Sequence, residues 1–326
     1  MRAMLCRGWG EPESLTLGEL PDPPPPGPGE ARIAIAAAGI NFADLLMIAG
    51  RYQERPGRPF APGLEAAGTV ESVGPGVADL SPGDRVLALL DHGGYAARAT
   101  VPVTDLFRLP ATMDLSTAAG FGITYGTAHG ALRWRLDLQP GETLLVLGAG
   151  GGAGLAAVEV GKALGATVIA AAGGPDKLAL AERHGADHLI DYRREDLRAC
   201  LKALRPAGVE AVFDPVGGEA FAAALRSLAW GGRLAVIGFA SGTVPQIPAN
   251  ILLVRNLTAH GLYWGSYRKH RPARLPGAFA ELFAWQAAGR LRPPVPDQRP
   301  LAAAAAALTA LRDRRAVGKL VLGVAP

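Results

Sequence analysis

The chain has few of the residues that build crosslinked, metal-clustered or membrane-anchored proteins. Its 326 residues hold two cysteines, Cys6 and Cys200, in unrelated contexts. Neither a disulfide framework nor a CxxC metal pair can be assembled from them, which fits a reducing interior. No uninterrupted apolar run reaches membrane-spanning length; even the apolar region 143–172 carries Glu159 and Lys162. The opening MRAMLCRGWGEPE has no long apolar core, so a secretory signal is not expected. Charged residues make up only 19%, and the net charge of +4 comes from scattered arginines rather than a basic run interleaved with aromatics. Nucleic acid as the main partner is therefore not expected. The reading at this level is a globular, soluble, cytoplasmic protein, and a hydrophobic share of 49% excludes disorder.

What the chain does have is glycine, 43 in all, and the densest cluster lies in residues 143–164, TLLVLGAGGGAGLAAVEVGKAL. A short apolar run, a glycine-rich turn and helix-favouring residues are the sequence form of strand, phosphate-binding turn and helix. The spacing is Ala149-x-Gly151-x-x-Gly154, a GxGxxG pattern with alanine first. Gly151 lets the backbone approach a pyrophosphate, and Gly154 lets the helix lie close to the strand, so that free N–H groups and the positive helix end face the anion. In so glycine-rich a chain the fingerprint alone is weak, and the pattern of strands and helices after residue 164 decides its meaning.

The length favours two domains. Residues 1–20 read as short strands, PDPPPPGP at 21–28 as a stiff connector, 31–38 as a strand and 41–49 as a short helix ended by Gly50. From 63 to 90 short apolar pieces alternate with turn signals, the rhythm of a small twisted barrel, and 94–103 supplies another strand. After Leu115 the pattern turns helical. Beyond the glycine stretch, strands at 167–171, 187–191, 209–214, 233–239 and 257–262 alternate with helices at 176–184, 196–204 and 219–228. Six strands at regular spacing predict a doubly wound, six-stranded parallel sheet, the Rossmann arrangement. The pieces after Pro272 (a helix at 278–288, a proline-rich stretch at 292–300, a helix at 302–307 and a strand at 319–324) are too short for a core of their own. They are expected to return and complete the first domain. The expected domains are 1–124 with 266–326, and 125–265.

The second strand of that sheet ends in Ala171-Ala172-Gly173-Gly174, with no acid until Asp176. An acid there would hold an adenosine 2′-hydroxyl and repel a 2′-phosphate. Its absence, with Lys177 close behind and Tyr192-Arg193 ending the next strand, favours NADPH over NADH; Lys177 also fits as a solvent-facing residue of a first helical turn.

Taken as a set, AAGINFADLL (37–46), PFAPGLEAAGTVESVGPGV (59–77), GDRV (83–86), the fingerprint and DPVGG (214–218) resemble the medium-chain dehydrogenase/reductase superfamily. GFASG (238–242), GLYWGSY (261–267) and VGKLVL (317–322) narrow the likeness to its zinc-free quinone oxidoreductase branch, similar to zeta-crystallin. The resemblance runs from about residue 5 to the C-terminus. It implies a GroES-like twisted β-barrel catalytic domain, a cofactor cleft, and a homodimer paired at the sheet edge near 257–262. Where zinc relatives place a ligand cysteine this chain has Asn41, and where they read GHE it reads Gly63-Leu64-Glu65. No cysteine follows Leu90 that could form a structural zinc lobe, and Gly185 spoils a shared face for His184 and His188. No metal is expected.

Hydride transfer to a conjugated carbonyl needs a held nicotinamide and hydrogen-bond donors, not a strong base. By resemblance, Asn41 and Thr127 lie near the nicotinamide and the reacting centre, with Tyr52 over the pocket and Tyr263 after the last sheet strand. Each has a plain alternative: Asn41 as a helix cap, Tyr52 as a surface aromatic, Tyr263 and Trp264 as packing. Asp44 either orients Asn41 or faces water. The resemblance also places Gly150, Gly151, Gly152 and Ala153 at the pyrophosphate, and Gly173, Lys177 and Tyr192 around the adenosine phosphate. Val216, Gly217, Phe239, Ala240 and Ser241 fall where ribose and nicotinamide pass, and Lys319, with Arg315 less firmly, reaches the cofactor from the returning segment. The expectation is an NADPH-dependent reductase of quinones or related α,β-unsaturated carbonyls. Its rivals are an enoyl- or acryloyl-CoA reductase using 268–274 (RKHRPAR) as a phosphate groove, a segment that also fits a solvated turn, and a cofactor-binding protein with a structural or RNA-binding role.

Overall fold

The computed structural model describes residues 1–294 and 296–324. Val295 of the proline-rich stretch, with Ala325 and Pro326, lies outside the described residues. In chain order the elements are β1 (Arg2–Leu5), β2 (Thr16–Glu19), β3 (Glu30–Gly39), α1 (Phe42–Ile48), β4 (Glu65–Val73), β5 (Arg85–Leu89), β6 (Arg98–Pro102), β7 (Leu106–Arg108) and α2 (Leu115–Ala119). They continue with α3 (Gly122–His129), a π-helical turn over Gly130–Arg135, β8 (Thr143–Leu147), α4 (Gly152–Ala163), β9 (Thr167–Ala172), α5 (Pro175–Arg183), β10 (His188–Asp191) and α6 (Leu197–Leu204). Then come β11 (Val209–Asp214), α7 (Gly218–Arg226), β12 (Leu228–Val236), α8 (Ala249–Arg255), β13 (Thr258–Gly261), α9 (Tyr267–His270), α10 (Arg274–Ala287), β14 (Asp297–Pro300), α11 (Ala304–Arg312) and β15 (Leu320–Gly323).

Two compact units emerge: Met1–Ile123 with Pro293–Pro326, and Thr124–Arg292. The first holds a seven-stranded sheet in the order β14-β15-β3-β4-β5-β7, with β6 also paired to β3. All its ladders are antiparallel except β14–β15. β3 alternates small and branched apolar residues, burying Ala31, Ile33, Ile35 and Ala37 in turn, which is the period-two pattern of a half-buried strand. Its register slips twice against β4, between Arg32 and Ile33 and between Ile35 and Ala37. Such bulges strengthen local twist.

The second unit is the expected doubly wound sheet, six parallel strands in the order β10-β9-β8-β11-β12-β13. In sequence of strands this is 3-2-1-4-5-6, with the order reversing at β8. β8 is buried at every position, as a strand covered on both faces must be.

One boundary departs from expectation. The chain returns to the first unit at 293, not at 266. The reason is α10, which buries Leu275, Ala278, Phe279, Leu282 and Trp285 inside the second unit. Phe279 lies edge-on to Trp264 at 6.2 Å between centroids, and Glu281 meets His129 Nε2 at 2.7 Å. β12 likewise begins at Leu228, earlier than the expected 233, running through Gly231 and Gly232.

Candidate active site

The turn between β8 and α4 is shaped by close approaches that only glycine allows. Gly148 takes φ +62°, and a Cβ on Gly154 would overlap the Gly148 carbonyl oxygen, so the helix starts against the strand end. A Cβ on Gly150 would collide with the Lys177 stem, which places that lysine beside the turn. The N-cap of α4 is Gly151, and among the described residues it has no side-chain cap bond. Its first-turn N–H groups are therefore left to an anion, at the positive end of a helix of 12 residues. The residues fit a dinucleotide pyrophosphate.

Beside the turn, Ala172 pairs with Asp191 at the ends of β9 and β10, which brings Gly173 next to Tyr192 and Arg193. A Cβ on Gly173 would stand 2.6 Å from Arg193 Nε, so the guanidinium covers that glycine. Two cations, Lys177 and Arg193, thus border the end of β9. An acid is near as well: buried Asp191 accepts the N–H groups of Gly174 (3.2 Å) and Arg193 (3.1 Å). Both bonds fall on Oδ1, while Oδ2 lies 4.0 Å from Arg194 Nε.

At the ends of β11 and β12 two loops are laced together. Ala240 N–H donates to Pro215 O (3.0 Å) and Ser241 N–H to Val216 O (2.8 Å). Val216, Gly217, Phe239, Ala240 and Ser241 therefore form one surface, and Val216 also flanks Gly148. Asp214 closes the first loop by accepting Val216 N–H at 2.7 Å and Gly217 N–H at 2.9 Å. Burial lifts its carboxyl to about 6 despite those two donors. Thr127 is buried in α3 of the same unit, and Tyr263 is 40% exposed in the loop after β13.

The first unit contains a buried polar cluster. Asn41 opens α1, and its side chain is engaged at both ends: Nδ2 donates to Glu65 Oε1 (2.9 Å) and Oδ1 accepts from Lys319 Nζ (2.8 Å). Lys319 Nζ also donates to Glu65 Oε1 (2.7 Å) and to Ile40 O (2.9 Å). Glu65 Oε2 takes Ile123 N–H at 2.8 Å. Asp44 Oδ2 accepts Asn41 N–H (2.7 Å) and the Tyr95 hydroxyl (2.8 Å), while Oδ1 has no hydrogen-bond partner among the described residues. Burial raises Asp44 to about 6, and burial beside Asp44 pushes the Tyr95 phenol well above its ordinary value.

Of the sequence-derived candidates, the structure brings Gly150, Gly151, Gly152, Ala153, Gly173, Lys177, Tyr192, Val216, Gly217, Phe239, Ala240 and Ser241 to one edge of the parallel sheet. Asn41 stands at the N-cap of α1, and its side chain is held in the cluster by Glu65 and Lys319. Tyr52 packs against the first unit's core. Lys319 is corrected: all three of its donors are used inside the first unit and it is 7% exposed, so it has none left for a cofactor. Arg315 pairs with Asp313 at 3.0 Å on the surface. The groove reading of 268–274 loses Arg274, whose guanidinium lies over Trp134 at 5.4 Å. Sequence reasoning used Arg193 only as a charge beside Tyr192 and Glu65 only to exclude a metal; that Arg193 covers Gly173 and that Glu65 holds Asn41 and Lys319 comes from the structure.

Residues 27–111 match the alcohol dehydrogenase GroES-like domain, and residues 152–284 match the domain described as zinc-binding dehydrogenase. A quinone oxidoreductase-like protein 2 homolog from Nematostella vectensis is 38% identical over 325 residues, covering 98% of this chain and 88% of that protein. The Homo sapiens synaptic vesicle membrane protein VAT-1 homolog is 32% identical, covering 100% of this chain and 87% of its own. Among solved structures, Escherichia coli quinone oxidoreductase complexed with NADPH superposes with a TM-score of 0.92 at 31% identity over 99% of each chain. The chain belongs to the medium-chain dehydrogenase/reductase superfamily and is an oxidoreductase. Within that superfamily its relatives place it in the quinone oxidoreductase branch.

Proposed function

We propose that this protein is an NADPH-dependent reductase of quinones or related α,β-unsaturated carbonyl compounds, working without a metal. The observation that carries the reading is the uncapped α4 turn with Lys177 and Arg193 bordering the adjacent strand end. The turn's N–H groups bind the pyrophosphate, and the two cations meet the 2′-phosphate. When bound, the reduced nicotinamide supplies hydride to an electron-poor carbon of the acceptor. The chain's own part is to hold and to hydrogen-bond. Val216, Gly217 and 239–241 line the path of the ribose and nicotinamide, Asn41 and Thr127 orient the reacting end, and Tyr52 or Tyr263 offers a phenolic proton to the acceptor oxygen.

Metal independence is supported by the chemistry at 41, 64 and 65. Leu64 has no donor atom, and Asn41 and Glu65 both hold an ammonium. A soluble homodimer is part of the proposal: β13 is a sheet edge, and nearby Trp230 and Leu253 are 74% and 79% exposed. Among the described residues no helix is long and apolar enough to cross a membrane. The test is steady-state oxidation of NADPH and NADH against a panel of quinones, enals and enoyl thioesters. Saturable quinone or enal turnover with NADPH preferred supports the reading; turnover confined to acyl-CoA, or none at all, overturns it.

A further inference from the structure

Resting on the assignment of Asn41 to the reacting end of the site, we propose that Lys319 and Glu65 are positioning residues that lock the Asn41 side-chain amide in one of its two flips. An ammonium only donates and a carboxylate only accepts. Asn41 Oδ1 must therefore face Lys319 Nζ (2.8 Å), and Nδ2 must face Glu65 Oε1 (2.9 Å). Turning the amide over would set NH2 against NH3⁺ and a carbonyl against a carboxylate, two repulsions in a buried place.

The lock is itself immobilised. Lys319 spends its other donors on Glu65 Oε1 and Ile40 O, and Glu65 Oε2 is held by Ile123 N–H. Ile40 N–H donates to Leu320 O at 3.0 Å, which ties the backbone before Asn41 to the strand carrying the lysine. Asp44 Oδ2 fixes Asn41 N–H from the other side. A buried ion pair contributes little to stability compared with apolar packing of the same volume. Orientation is the property this pair supplies: the second Nδ2 hydrogen is presented as a donor, in the same sense in every molecule.

The test is a paired replacement, Lys319→Met with Glu65→Gln, which leaves no lone charge buried between them. Turnover with NADPH and a naphthoquinone should fall at least tenfold in kcat, with the KM for NADPH within threefold of wild type. In an Asn41→Ala background the same pair should cost no further kcat. If the paired variant keeps wild-type kcat, or loses as much again without Asn41, the proposal fails. A second readout needs neither turnover nor a variant. In the wild-type protein, the Asn41 side-chain proton given to Glu65 should exchange with solvent at least a hundredfold more slowly than the side-chain protons of exposed Asn250. Equal rates overturn the lock. Wild type that turns over no quinone or enal sinks the functional reading alone, and the exchange rate still decides this one.

Discussion

Replacing Asp44 with Asn should change how the first unit's stability depends on pH. Asp44 is fully buried; one oxygen accepts from Asn41 N–H and the Tyr95 hydroxyl, and the other has no partner among the described residues. Desolvation dominates and raises the carboxyl from 3.8 to about 6; Lys319 and the two donors pull it down, and Glu65 pushes it up. The folded chain thus binds a proton more tightly than the unfolded chain. Stability from this group is fully present below the unfolded value and is lost as pH rises through about 6. A rise of about two units at about 1.4 kcal/mol each gives roughly 3 kcal/mol across the whole window. Between about pH 4.5 and about pH 8 the share is about 2 kcal/mol. Asn keeps one oxygen for both donors and cannot titrate. Wild type should therefore gain about 2 kcal/mol relative to Asp44→Asn on going from the higher pH to the lower, read by urea unfolding of both proteins with linear extrapolation. Parallel stability–pH curves would falsify the idea of a desolvated, half-partnered carboxyl at this position.

Arg193→Glu and Lys177→Glu should each raise the KM for NADPH roughly tenfold to a hundredfold while leaving that for NADH within a few-fold, since a charge-assisted contact is worth about 1.5–3 kcal/mol. Equal effects on both coenzymes would remove these residues from the 2′-phosphate. Gly154→Ala should destabilise the second unit by about 1–3 kcal/mol, because the added methyl meets a backbone carbonyl that cannot rotate away, and it should weaken NADPH binding as measured by nicotinamide fluorescence. Trp230→Glu combined with Leu253→Glu should give a monomer by light scattering; an unchanged mass would put the dimer contact elsewhere.

The second unit was legible because its physics is local. Strands buried on both faces are continuous apolar runs, and the tight turn after β8 needs glycines at a fixed spacing. The limit at 293 was not legible. The helix at 274–287 is amphipathic either way, and only the partners of Phe279 and Glu281 say which unit takes it. The Asn41 cluster was half legible. Asn41 and Asp44 share one turn, but Glu65 lies 24 residues on and Lys319 lies 278 residues on. Such pairings depend on strand order, which no local window contains. The resemblance alone sent Lys319 to a coenzyme, and no local window showed its partners in the first unit.

β15 sits in the interior of its sheet, between β14 and β3, yet it is made after every other described strand. During synthesis the first unit must wait, with residues 37–39 of β3 unpaired on the side that β15 takes, while the whole parallel-sheet unit emerges ahead of that strand. A nascent chain stalled before residue 320 therefore offers an unpaired strand border to chaperones or to its neighbours. Cutting the chain before Leu320, and so removing β15, should be felt as failed maturation of the first unit.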